Sequence, residues 1–93
     1  MEEINVRILK GLDGKDCEID VPADATVGDV IIGLVNEGFI EADTQSAMTV
    51  LYNKDADGGI SSGVKYDDRS KTVKEYGWQN GQTLVAVSTA VAG

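Results

Sequence analysis

The chain contains no histidine, which removes the side chain that most often moves protons near neutral pH and most often ligates metals. Its single cysteine, Cys17, cannot close an intramolecular disulfide and suits a reducing compartment. A thiol nucleophile needs a neighbouring base or cation. Cys17 instead alternates with Asp16, Glu18 and Asp20, and reads as a small buried hydrophobe. Those three acids recur at every second residue and so share one solvated face. There carboxylates lack the perturbed acidity that paired-carboxylate catalysis requires. The sequence therefore predicts no catalytic residue, no enzyme and no cofactor.

One stretch has metal-ligand spacing. Residues 53–64 resemble the start of an EF-hand calcium loop, with Asn53, Asp55 and Asp57 at positions 1, 3 and 5, Gly58 at 6 and Ser61 at 9. Position 12 is Val64, where such a loop needs a bidentate glutamate, so two oxygens and a charge are missing. Asn, Asp and Gly are also ordinary turn residues. The expectation is a turn and no metal.

Charge narrows the partners. The net charge is −8 over 93 residues, and it lies entirely in residues 1–47, where eleven acids face Arg7, Lys10 and Lys15. Such a field repels nucleic acid and anionic membranes. No apolar run reaches the roughly 18 residues of a membrane span, and Met1-Glu2-Glu3 is not a secretory leader. The chain reads as a single domain, 1–93, cytoplasmic and monomeric, whose partners are proteins rather than nucleic acid or membrane.

These groups must be positioned by regular elements, and the apolar pattern specifies them. Ile4, Val6 and Ile8 alternate with Asn5 and Arg7, as in a half-buried strand. Asp13-Gly14 marks a hairpin turn, and Cys17, Ile19 and Val21 form the inner face of a second strand. After Pro22 the period changes. Thr26 and Asp29 form a capping box, and Val27, Val30, Ile31, Leu34 and Val35 make one helical stripe. Gly38 stands at the helix end, and Gly28 and Gly33 within it read as points of close sheet approach. Residues 48–53 predict a third strand, 54–63 a loop, Val64 and Tyr66 a short fourth strand, and 72–78 a helical turn. Asn80-Gly81 precedes a last strand over 83–88, and residues 88–93 read as a flexible tail.

This order resembles ubiquitin and its relatives over nearly the whole chain. The opening hairpin, the entry from Pro22 to Thr26 and the ending carry the likeness. Residues 67–78, which include Tyr76-Gly77-Trp78, look like the ubiquitin segment that drops into a short turn carrying a tyrosine. Residues 79–87 look like its turn and last strand, and the loop at 54–63 is longer than ubiquitin's. The resemblance implies an α+β fold, the β-grasp: a mixed four- to five-stranded sheet packed on one helix, its first and last strands adjacent and parallel. Within that superfamily, Tyr76-Gly77 followed by Gly81 is similar to the ending of the bacterial YukD/EsaB-type proteins, which are associated with type VII secretion.

The resemblance implies a non-catalytic protein-interaction module, an accessory or regulatory component of a bacterial assembly, binding through an apolar patch on the open sheet face. If Leu84 and Ala86 point inward, period two sends Val85 and Val87 outward. Taking Met48, Val50 and Tyr52 as inward leaves Leu51 outward, and Leu9 is the odd apolar residue of the first strand. The expected patch is Leu9, Leu51, Val85 and Val87. Two alternatives remain open. One is a covalent modifier or sulfur carrier activated at Gly93, although Ala92 stands where a di-glycine ending has its first glycine. The other is a small ubiquitin-like subunit of a multicomponent enzyme.

Overall fold

The computed structural model describes residues 2–10, 14–54 and 60–90, without the side chains of 60–64. Strands β1 (Glu3–Lys10) and β2 (Asp16–Pro22) precede helix α1 (Val27–Asn36), and β3 (Ala47–Lys54), β4 (Ile60–Tyr66) and β5 (Gln82–Ala90) follow. They form one sheet in the order β2-β1-β5-β3-β4. All neighbours are antiparallel except the central pair β1 and β5. The expected fold class, an α+β mixed sheet clasping one helix, is the observed one.

Burial follows the alternation. Ile4, Val6 and Ile8 of β1 and Val21 of β2 join Leu84 and Ala86 of β5 under Val27, Val30, Ile31 and Leu34 of α1. Thr26 caps the helix: its hydroxyl accepts the Asp29 N–H at 3.1 Å and the Asp29 carboxylate accepts the Thr26 N–H at 3.1 Å. At the other end Gly38 has φ +77°, Phe39 N–H donates to Leu34 O and Gly38 N–H to Val35 O, a Schellman closure. The same device recurs after the sheet's edge. Gly77 has φ +77°, Trp78 N–H donates to Val73 O and Gly77 N–H to Lys74 O. In both places an aromatic residue follows the left-handed glycine and turns inward: Phe39 packs against the core and Trp78 lies within it. Trp78 meets Tyr66 edge-on at 5.4 Å, and Tyr66 meets Tyr76 at 4.9 Å. The Tyr76 hydroxyl accepts the Asp68 N–H at 3.0 Å.

The segment between β4 and β5 is laced to the helix entry. Val27 and Gly28 donate to Lys71 O and Arg69 O, and Val73 and Lys74 donate back to Ala25 O and Ala23 O. Arg69 reaches further: its guanidinium donates to both carboxylate oxygens of Asp43 and to Thr49 O at 2.9 Å. A Cβ on Gly28 would stand 3.0 Å from Arg69 O. This glycine therefore admits the Arg69 segment rather than the sheet. Gly33 does not meet the expectation of close sheet approach, because a Cβ there would meet nothing within 4 Å, although glycine inside a helix costs about 1 kcal/mol relative to alanine.

Two boundaries move. β5 pairs through Ala90, opposite Ala47, so residues 88–90 are strand and not tail. β4 begins at Ile60, with a register shift against β3 between Tyr52 and Lys54.

The Arg69 guanidinium hydrogen-bonded to Asp43 holds that carboxyl below its usual value near 3.8. A depressed folded pKa stabilises the native state above the unfolded value, and the contribution fades as pH falls through the folded one. Urea melts between about pH 5 and about pH 2.5 should thus show a smaller loss of stability for Asp43→Asn than for the parent. Asp68 and Glu75, also held low by bonds to Ser70 and Thr72, titrate alike in both. At neutral pH Arg69→Met should cost about 1 kcal/mol, because it strips hydrogen bonds from the exposed Asp43 carboxylate and from the carbonyl of the buried Thr49.

Candidate interaction surface

Sheet register decides which side chains face away from the helix. Leu9 lies opposite Val85, Val85 opposite Tyr52, and Val87 opposite Val50. Residues paired across a ladder share a face, so Leu9, Val85 and Val87 sit together on the face opposite α1. Leu51 does not join them. It lies opposite Ala86 and is fully buried in the core under the helix. The expected patch loses Leu51 and acquires Met48, Val50 and Tyr52 in its place.

The inversion has a physical cause. β3 reads Met48-Thr49-Val50-Leu51-Tyr52-Asn53, and its polar residues, Thr49 and Asn53, invite an outward assignment. Both lie on the helix side, Thr49 held through its backbone groups and Asn53 through its side-chain amide. Thr49 N–H donates to Asp43, Thr49 O accepts from Arg69, and Asn53 Oδ1 accepts the Gln82 amide at 2.8 Å. Paired polar groups are tolerated in the interior, and Leu51 takes the place between them. The signal that identifies Met48, Val50 and Tyr52 is the cross-strand pairing with β5, which β3 alone does not reveal.

The result is a second apolar cluster, separate from the core. Val50 and Val85 are only 7% and 6% exposed although they belong to the face opposite the helix, and Leu9, Met48, Tyr52 and Val87 around them are half-buried. Charge flanks it on both sides. Toward the β2 edge the same face carries Asp16, Glu18 and Asp20, opposite Leu9, Arg7 and Asn5. Arg7 lies 3.4 Å from Asp16 and the Asn5 amide donates to Asp20. Toward β4 stands Lys65, opposite Tyr52.

The groups that could react are set otherwise. Cys17 is half-buried on the helix side, and burial, then the Asp16 charge, pushes its thiol up, away from the thiolate a nucleophile needs. Among the described residues no three acids or thiols gather as metal ligands, and no helix is long and apolar enough to cross a membrane. Asp55 and Asp57 of the calcium-like loop, and Gly93, lie outside the described residues.

Truncating Leu51 to alanine should cost about 2–5 kcal/mol, the range for a buried leucine. Val87→Ala, on the open face, should cost less than about 1.5 kcal/mol. Equilibrium urea unfolding compares the two, and equal costs would mean that the register is wrong.

No family model and no curated protein matches the chain. Solved structures do. The ubiquitin-like domain of an Arabidopsis thaliana protein superposes with a TM-score of 0.69 at 16% identity, over 98% of this chain and 82% of that one. Caldiarchaeum subterraneum ubiquitin gives 0.67 at 22% identity over 99% and 100%. The ubiquitin-like domain of yeast Ddi1 gives 0.68 at 18% over 98% and 94%. Sheet order, a parallel central pair, one clasped helix and these superpositions together make the chain a ubiquitin-like β-grasp fold.

Proposed function

We propose that this chain is a non-covalent protein-interaction module that binds through the sheet face opposite α1, at Leu9, Met48, Val50, Tyr52, Val85 and Val87. The observation that carries the reading is the second apolar cluster. Strands β1, β3 and β5 each contribute to it, with Leu9, Met48, Tyr52 and Val87 half-exposed around the buried Val50 and Val85, and an apolar cluster that reaches the surface between flanking charges is a usual mark of a docking surface. Fold alone does not assign a function; this cluster gives the proposal a location. The acids beside it favour a partner with basic residues along one flank.

The finer reading places the module as an accessory component of a bacterial assembly of the type VII secretion kind. It rests on the Tyr76-Gly77 and Gly81 ending. Activation at Gly93, as a modifier or sulfur carrier, is the competing reading, and the same experiment separates them. An affinity-tagged chain is recovered from its native cell under native and under denaturing conditions, alongside the variant Val87→Asp. Partners retained natively, lost on denaturation and absent from Val87→Asp are the expected result, with the variant's thermal midpoint within a few degrees of the parent. Lysine-linked remnants ending in Ala92-Gly93 after denaturing recovery would replace this reading with the modifier.

A further inference from the structure

The open face of the sheet is complementary to itself. The strand order β2-β1-β5-β3-β4 makes β5 the middle strand, with two strands on either side. One row of cross-strand partners spans the whole face: Asp16 opposite Leu9, Leu9 opposite Val85, Val85 opposite Tyr52, and Tyr52 opposite Lys65. Residues paired across a ladder share a face, so the row reads acid, apolar, apolar, aromatic, base, with Val85 at its centre. Both ends are exposed. Each has a neighbour of opposite charge in its own chain, Arg7 3.4 Å from Asp16 and Asp67 3.7 Å from Lys65. These pairs stand in solvent, where a further ion can join them.

Symmetry limits how two such faces can meet. Sheets stacked face to face keep their strands within about 30° of each other and lie about 10 Å apart. A two-fold axis between them runs either across the strands or along them. Across the strands, β2 would lie over β2 and set Asp16, Glu18 and Asp20 against the same three acids, which repel. Along the strands and through β5, the axis exchanges the two flanks. Asp16 of each copy then faces Lys65 of the other, Leu9 faces Tyr52, and Val85 and Val87 meet themselves at the axis. Such a contact is isologous, with an apolar centre and a charged rim.

We infer that this chain forms a homodimer through the face opposite α1, its two sheets stacked about an axis along β5 and its helices outside. The assignment rests on the open face being the docking surface and names a second copy as its occupant. Each chain carries a net charge of −8, and two copies repel at a distance. That repulsion is screened beyond about 8 Å at physiological salt, whereas the matched ends meet at contact. In the dimer the face is closed, so a different protein partner must displace the second copy, and its binding weakens as the chain is concentrated.

The test is sedimentation equilibrium of the purified chain from about 10 μM to about 1 mM, a range that suits a small interface. It is run beside the charge reversals Asp16→Lys and Lys65→Glu. The parent should dimerise within that range. Each variant alone should associate at least about tenfold more weakly, because it sets like charges together at both ends. An equimolar mixture of the two variants should recover the parent's affinity to within about threefold, since each copy then supplies the charge that the other has lost. Thermal midpoints should stay within a few degrees of the parent's, because exposed ion pairs contribute little to folding. A parent that remains monomeric at the highest concentration would overturn the inference. So would unchanged association in both variants, a mixture no tighter than its components, or a dimer that survives Val87→Asp, which places two carboxylates at the axis. A monomeric parent would leave the open face as a site for other proteins, which native recovery with Val87→Asp tests separately.

Discussion

The arrangement depends on one constraint: β1 and β5, the first and last strands, lie side by side and parallel at the centre of the sheet. A parallel pair cannot be joined by a hairpin, so the chain between them must cross over. Here it uses one face for the crossing, first with α1 and then with the segment from Asp67 to Gly81. That face becomes the core, where Ile8, Leu84 and Val27 are fully buried. The opposite face is left to the sheet's own side chains, and the second apolar cluster is the outcome. Function, on this account, occupies the side that topology leaves uncovered.

The crossing works because two connections are closed by the same chemistry. Gly38-Phe39 and Gly77-Trp78 each stop a turn and insert a ring into or against the core. Arg69 then ties the second connection to the start of β3 through Asp43 and Thr49, and its carbonyl holds the first turn of α1 through Gly28. Polar bonding here fixes geometry as much as it stabilises. It ties the backbone of Thr49, in β3, to both Asp43 and Arg69.

Most of the fold was legible in the sequence because most elements carry their own signal. Strict alternation gave β1 and β2, and Thr26 with Asp29 gave the start of α1. β5 read correctly through Leu84 and Ala86, and only its extension to Ala90 was missed, since Ser88, Thr89 and Ala90 have little pattern until paired with β3. The candidate surface was half legible. Leu9, Val85 and Val87 sit in strands whose inner faces are unambiguous. β3 offered no such guide, with apolar residues at four of six positions from Met48 to Asn53 and polar ones bonded to Arg69 and Gln82, which are distant in sequence. Gly33 was misread for a related reason: a helical glycine suggests close packing, and only coordinates show the empty space beside it.

The central claim is that partners meet the face opposite α1, with Tyr52 rather than Leu51 presented to them. Site-specific photo-crosslinking in the native cell tests it most directly, with benzoylphenylalanine replacing Tyr52 in one protein and Ile32, the exposed apolar residue of α1, in another. The account predicts discrete adducts to a protein partner from position 52 and none from position 32. Adducts from position 32 alone would place the interaction on the helix side and contradict it.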